Sequence, residues 1–131
     1  MARILVVDWD EIERVHLWTI LEEAGHQLLF ASDGKVALEV WERNPIDLVV
    51  TELAMPELNG LRLIQELVKL DAGVRIVAIS AISADQLDLA EDFGANTILY
   101  KPVTRDSILQ AVEDALEAPR SRRDQWDQWR G

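Results

Sequence analysis

At 131 residues the chain has the length of one domain able to bury a core, and its 49% hydrophobic and 28% charged content is that of a globular protein. It has no cysteine, which excludes disulfides, thiol catalysis and cysteine-held metals. The net charge of −11 lies in the body: residues 118–131 carry four arginines against two aspartates, leaving −13 on residues 1–117, and an acidic body argues against direct nucleic-acid binding.

The apolar run Ile4 to Val7 reads as a strand covered on both faces; it is too short for a signal peptide and stops at Asp8. Glu11 to Ala24 follows as a helix with Leu17, Ile20, Leu21 and Ala24 on one side, stopped by Gly25. Gln27 to Ala31 is the second strand, and Ser32-Asp33-Gly34 offers a helix cap. Lys35 to Arg43 is the second helix, with Val36, Ala37, Val40 and Trp41 facing inward, broken by Asn44-Pro45. A third strand at 46–51 ends in Glu52 and a Met55-Pro56 turn, and Asn59-Gly60 opens a helix over Leu61 to Leu70 with Leu61, Ile64, Leu67 and Val68 at helical spacing. A strand at 74–79, a helix from Ala84 to Phe93 ended by Gly94, a strand from Ile98 to Tyr100, and a helix from Arg105 to Glu117 before Pro119 complete the pattern. No stretch approaches the length of a membrane span, and a cytoplasmic location is expected.

Five strands alternating with five helices imply a parallel sheet with right-handed crossovers. In such sheets the site lies outside the carboxyl ends of the strands. Asp8, Glu52, Ser80 and Lys101 fall at the ends of strands one, three, four and five. A lone Asp after a strand is more often a helix cap, and Lys-Pro is a common loop dipeptide. Four polar residues at four strand ends are a convergence that neither reading explains.

Taken with the Met-Pro turn, the fragments Ile4-Leu5-Val6-Val7-Asp8, Ala78-Ile79-Ser80-Ala81 and Tyr100-Lys101-Pro102 resemble the receiver domain of two-component response regulators over roughly residues 2 to 117. The resemblance implies a doubly wound, flavodoxin-like (βα)5 sandwich. It also implies two adjacent acids after strand one and a phosphoacceptor aspartate after strand three, together holding magnesium. A lysine from strand five and a Ser or Thr from strand four then contact the phosphoryl group. Asp8, Ser80 and Lys101 stand at matching positions. Three others depart. Glu52 takes the phosphoacceptor position, and Trp9 takes the second acid, with Asp10 one residue further on. Ile98 takes the switch position, where the family usually carries Tyr or Phe; Tyr100 nearby is a candidate substitute.

Magnesium tolerates little misplacement of its oxygen ligands. Glu52 moves its carboxylate outward by about 1.5 Å, roughly one C–C bond, so in-line attack on a phosphoryl donor should be poor. No cofactor is expected; if magnesium binds weakly, Asp8 and Glu52 are its ligands. Trp9 and Ile98 lie outside any single introduced change, which favours natural divergence. Site drift and a built-in mimic of the phosphorylated state both remain open, and glutamate supplies at most about half of a phosphoryl group's −1.5 to −2.

Three functions of different class follow. The first is a phosphorylation-independent receiver-like module without enzymatic activity that binds a protein partner, such as a histidine kinase or an output domain, with a homodimer open. The second is a phosphorelay receiver still modified at the acidic pocket of Asp8 and Asp10. The third is a flavin-type carrier on the same fold, which Asp8-Trp9-Asp10-Glu11 disfavours because it would repel an anion. Residues 1–118 read as the receiver-like domain, and 119–131 as a basic, Trp-containing tail or linker stub. In the tail, Trp126 and Trp129 lie at i and i+3 and are candidate interface residues; so is Trp18, opposite the apolar stripe of the first helix. His16 and His26 show no metal-ligand spacing.

Overall fold

The computed structural model describes residues 1–55, 58–81 and 84–118. Five strands, β1 (Arg3–Val7), β2 (Gln27–Ala31), β3 (Leu48–Glu52), β4 (Ile76–Ser80) and β5 (Thr97–Tyr100), alternate with α1 (Glu11–Glu23), α2 (Gly34–Arg43), α3 (Gly60–Leu70), α4 (Ala84–Phe93) and α5 (Arg105–Glu117). All neighbouring strands are parallel, in the order β2-β1-β3-β4-β5. The order reverses between β1 and β3, and the crevice above that point is where such a sheet places its site.

Strand alternation divides the core into two layers. Leu5, Val7, Val49, Ile76 and Ala78 pack with Ala37, Leu63, Ile64, Leu67, Leu87 and Ala90 from α2, α3 and α4. Ile4, Val6, Leu48, Val50, Val77 and Ile79 pack with Leu17, Ile20, Leu21, Ile108, Ala111, Val112 and Ala115 from α1 and α5. A sheet covered on both faces needs unbroken apolar strands, which is what β1, β3 and β4 carry. Helix starts are fixed by side-chain caps: Asp10, Asp33, Asn59 and Thr104 accept from the backbone N–H of Ile12, Val36, Arg62 and Ser107.

The third and fourth strands begin and end later than their apolar runs suggest, at 48–52 and 76–80 instead of 46–51 and 74–79. Pairing decides this. The ladder of β3 with β1 opens at Leu48 opposite Ile4, and its ladder with β4 runs from Val49 opposite Ile76 to Glu52 opposite Ile79, so Ile46 and Val74 pack against the core without joining either. Glu52 and Ser80 are therefore the last residues of their strands. Ala24, placed on the inner stripe by spacing, is exposed and caps α1. Trp18 also differs from its expected free position. It is half-buried, edge-on to Phe30 of β2 at 5.7 Å between ring centroids, and its indole N–H donates to Glu22. The ring covers the edge strand. Trp126 and Trp129 lie outside the described residues.

Gly60 sits where α3 meets the end of β3, and its N–H donates to the Leu53 carbonyl at 2.9 Å. A Cβ here would stand 2.6 Å from Leu53 Cα and against the Glu52 carbonyl oxygen. In an open helix, Gly→Ala stabilises by about 0.5–1 kcal/mol. Here backbone collides with backbone, so Gly60→Ala should instead lower unfolding free energy by about 1–3 kcal/mol in a urea titration. Stabilisation would show that the β3–α3 junction is not packed as described.

Candidate functional site

Each site residue is delivered by a strand end. Asp8 follows β1, its N–H donating to Ala31 O at 3.1 Å and its Oδ1 accepting from Asp10 N at 2.9 Å. Glu52 closes β3, and its Oε1 accepts from Ala54 N at 3.1 Å. Ser80 closes β4, fully buried, and its carbonyl accepts from Lys101 N at 3.0 Å. Lys101 follows β5, joined to Pro102 by a cis peptide bond. Asp8 and Glu52 are buried at 2% and 4% exposure, although both carry carboxylates.

The Lys101 ammonium joins them. Nζ lies 2.5 Å from Glu52 Oε2 and 4.0 Å from Asp8 Oδ2, and it donates to Glu13 Oε2. The contact with Glu52 Oε2 lacks the alignment of a hydrogen bond, so that buried oxygen is held by charge. Asp8, Glu13 and Glu52 each offer a carboxylate oxygen within 4.8 Å of the others. A cavity of about 470 Å³ opens beside them, lined by Leu17, Ile79, Pro102 and Val103, with Asp8, Glu13 and Lys101 at its charged side.

Some expected participants are elsewhere. Asp10 was the nearest acid to the lost second position, but its carboxylate caps α1. A capping side chain is committed to the backbone donors of its own helix and cannot also turn into the pocket. Trp9 is 55% exposed. Ile98 packs against the α2–α4 layer, while Tyr100 is exposed. His26 Nδ1 accepts from Ala2 N, and His16 Nε2 lies 3.4 Å from Val103 O.

The residue that spacing did not single out is Glu13. It had a signal. Glu13, Leu17, Ile20 and Leu21 stand at i, i+4, i+7 and i+8, so an acid heads the buried stripe of α1 and points along it toward the strand ends.

Protonation follows from crowding. Burial pushes the Asp8 carboxyl up to about 7, helped by the Glu13 carboxylate and opposed by the Asp10 N–H and Lys101. Burial pulls Lys101 down, but the hydrogen bond to Glu13, the close contact with Glu52 and the charges of Glu52 and Asp8 outweigh it, leaving the lysine above its ordinary value.

The resemblance implies a magnesium ion in this pocket. Three carboxylates are the right chemistry for a hard cation. The ammonium, however, already stands among them at 2.5 Å from Glu52, and Trp9 brings no oxygen ligand. The arrangement does not fit a resident magnesium ion.

A raised carboxyl pKa means that the folded protein holds a proton that the unfolded chain has released. Asp8 should therefore make stability fall as pH rises from about 3.8 to about 7. His26, lowered chiefly by burial, acts in the opposite sense below its ordinary value. The difference between wild type and Asp8→Asn isolates Asp8: the variant's relative Tm should climb with pH across that window. A pH-independent difference would show that Asp8 is not raised.

The model of the response regulator receiver domain matches residues 4–113. Chemotaxis protein CheY of Bacillus subtilis is 31% identical over 116 residues, covering 87% of this chain and 97% of that protein. Transcriptional regulatory protein GlrR of Escherichia coli is 33% identical over 117 residues, 88% of this chain but 26% of GlrR. Sensor histidine kinase RcsC of Escherichia coli is 35% identical over 122 residues, 92% of this chain and 13% of RcsC. The chain thus spans about a quarter or less of these longer relatives. Among solved structures, a receiver domain protein from Clostridium thermocellum superposes with a TM-score of 0.84 at 29% identity, covering 88% of this chain and 94% of that one. Response regulator TrrA of Thermotoga maritima, solved with Mg(2+)-BeF, gives 0.81 at 30% identity, covering 88% and 99%. A match along most of the chain, with Asp8, Glu52 and Lys101 gathered at the strand ends, settles the family: the chain belongs to the response regulator receiver domains.

Proposed function

We propose that this receiver domain signals by binding a protein partner without taking up a phosphoryl group. The observation that carries the reading is the Glu52 carboxylate resting 2.5 Å from the Lys101 ammonium. In an acceptor role the residue would have to leave that ion pair and attack in line. Its longer arm has instead closed the space toward the lysine. Phosphoryl transfer depends on placement of the nucleophile at the ångström scale and on a divalent cation to neutralise the developing charge. Glu52, Trp9 and Lys101 each work against one of those needs.

The acidic pocket, the 1–118 domain boundary and a cytoplasmic setting fit such a module, and catalysis is not part of the reading. A histidine kinase or an output domain is the partner class, in line with the names of relatives such as RcsC and GlrR. Among the described residues no helix is long and apolar enough to cross a membrane. Flavin carriage has less support, because three carboxylates line the place a phosphate would enter.

Acetyl phosphate with magnesium tests the reading directly. Intact mass should show no phosphoryl adduct on wild type under conditions that label a receiver carrying aspartate at the acceptor position. A substantial modified fraction, lost in Glu52→Gln, would overturn it.

A further inference from the structure

Glu13 lies in the first turn of α1, on the inward stripe and five residues beyond Asp8. Its carboxylate accepts from Lys101 Nζ and lies with an oxygen within 4.8 Å of one on Asp8. Exposed Glu–Lys pairs are common and worth little, about 0–1 kcal/mol. This pair differs in setting. The lysine side chain is only 19% exposed, and it meets a second glutamate, almost fully buried, with Asp8 at 4.0 Å. The ammonium thus touches two glutamate carboxylates and has an aspartate oxygen at 4.0 Å.

Charge gives the contact its meaning. A phosphoryl group brings roughly −1.5 to −2. Glu52 alone brings −1, too little to replace it. Glu13 and Glu52 together bring −2 to the same ammonium. The position of the missing second acid is held by Trp9, and a carboxylate has been regained from the helix instead of the loop. We propose that Glu13 is a positioning residue that works with Glu52 as a fixed, two-carboxylate substitute for a phosphoryl group, holding Lys101 as the pocket's permanent cation. The proposal rests on the phosphorylation-independent reading above and names how the site is kept in one state.

Geometry adds a consequence. Glu13 and His16 stand one turn apart on α1, the first on Lys101 and the second beside the Val103 carbonyl. They stitch α1 to the turn after β5 along the rim of the 470 Å³ cavity. Removing Glu13 should free the lysine and loosen that seam; removing His16 should loosen the seam alone.

The chain has three lysines, so amine acylation can be read at Lys101 by mass spectrometry with exposed Lys35 and Lys69 as internal references. The acylation rate, followed from neutral to alkaline pH, reports the free-amine fraction at each lysine. Glu13→Gln should raise the Lys101 rate at fixed pH by about tenfold and move its profile to lower pH, because one lost counter-charge is worth about one pKa unit or more. His16→Ala should leave the Lys101 profile in place. An unchanged Lys101 profile in Glu13→Gln, or an equal displacement in His16→Ala, would overturn the role given to Glu13. Phosphoryl uptake by wild type would instead remove the functional reading while leaving the Glu13 result to stand as a description of what holds Lys101.

Discussion

One ammonium among three carboxylates organises this pocket. Lys101 touches Glu52 and Glu13 and lies 4.0 Å from Asp8. Without it, two carboxylates with 2–4% exposure would face a third across less than 5 Å with no other ion pair to oppose them among the described residues. Isolated buried charge of that kind is expensive, and a chain relieves it by protonation or by pairing. Both occur here: Lys101 is held charged, and Asp8 is pushed toward the neutral form. The strand ends β1, β3 and β5 and the first turn of α1 are tied together by one side chain. Such a pair need not be a large net stabiliser, since desolvation offsets much of its attraction, but it does fix which groups sit beside which.

The departures from the family pattern form a consistent set when seen from Lys101. Glu52 reaches the lysine because its arm is longer than that of aspartate. Trp9 contributes no oxygen, and its ring is largely exposed. Glu13 supplies a carboxylate from the helix. Ile98 places an aliphatic group in the α2–α4 layer, where an aliphatic side chain has no polar tip to draw it toward solvent. Glu52, Trp9 and Ile98 each differ from what the resemblance implies for a phosphoryl-driven switch, and Glu52 joins Glu13 in one ion-pair network.

The fold was legible because its signals were local and redundant. Unbroken apolar strands, helical stripes and the capping residues Asp33 and Asn59 placed ten elements in order. Strand bounds slipped by one or two residues where apolarity ran past the ladder, as at Ile46 and Val74, since pairing register is a property of two strands and not of one. Asp8, Glu52, Ser80 and Lys101 could be found because strand ends are fixed by topology. Glu13 could not be found the same way. Its role depends on the rotation of α1 over the sheet, which brings it to a lysine 88 residues away. Asp10 was misread for a related reason: from sequence a carboxylate near a pocket and a carboxylate capping a helix look alike. Trp18 looked free because the partner that covers it, Phe30, belongs to a neighbouring strand.

If Lys101 is the pocket's own cation, magnesium must compete with it. Calorimetric titration of magnesium into wild type and into Lys101→Met measures that competition. The account predicts no saturable binding to wild type at sub-millimolar magnesium, and clear binding once the ammonium is gone and Asp8, Glu13 and Glu52 are left uncompensated. Tight, saturable binding to wild type, with an affinity equal to that of Lys101→Met, would contradict it.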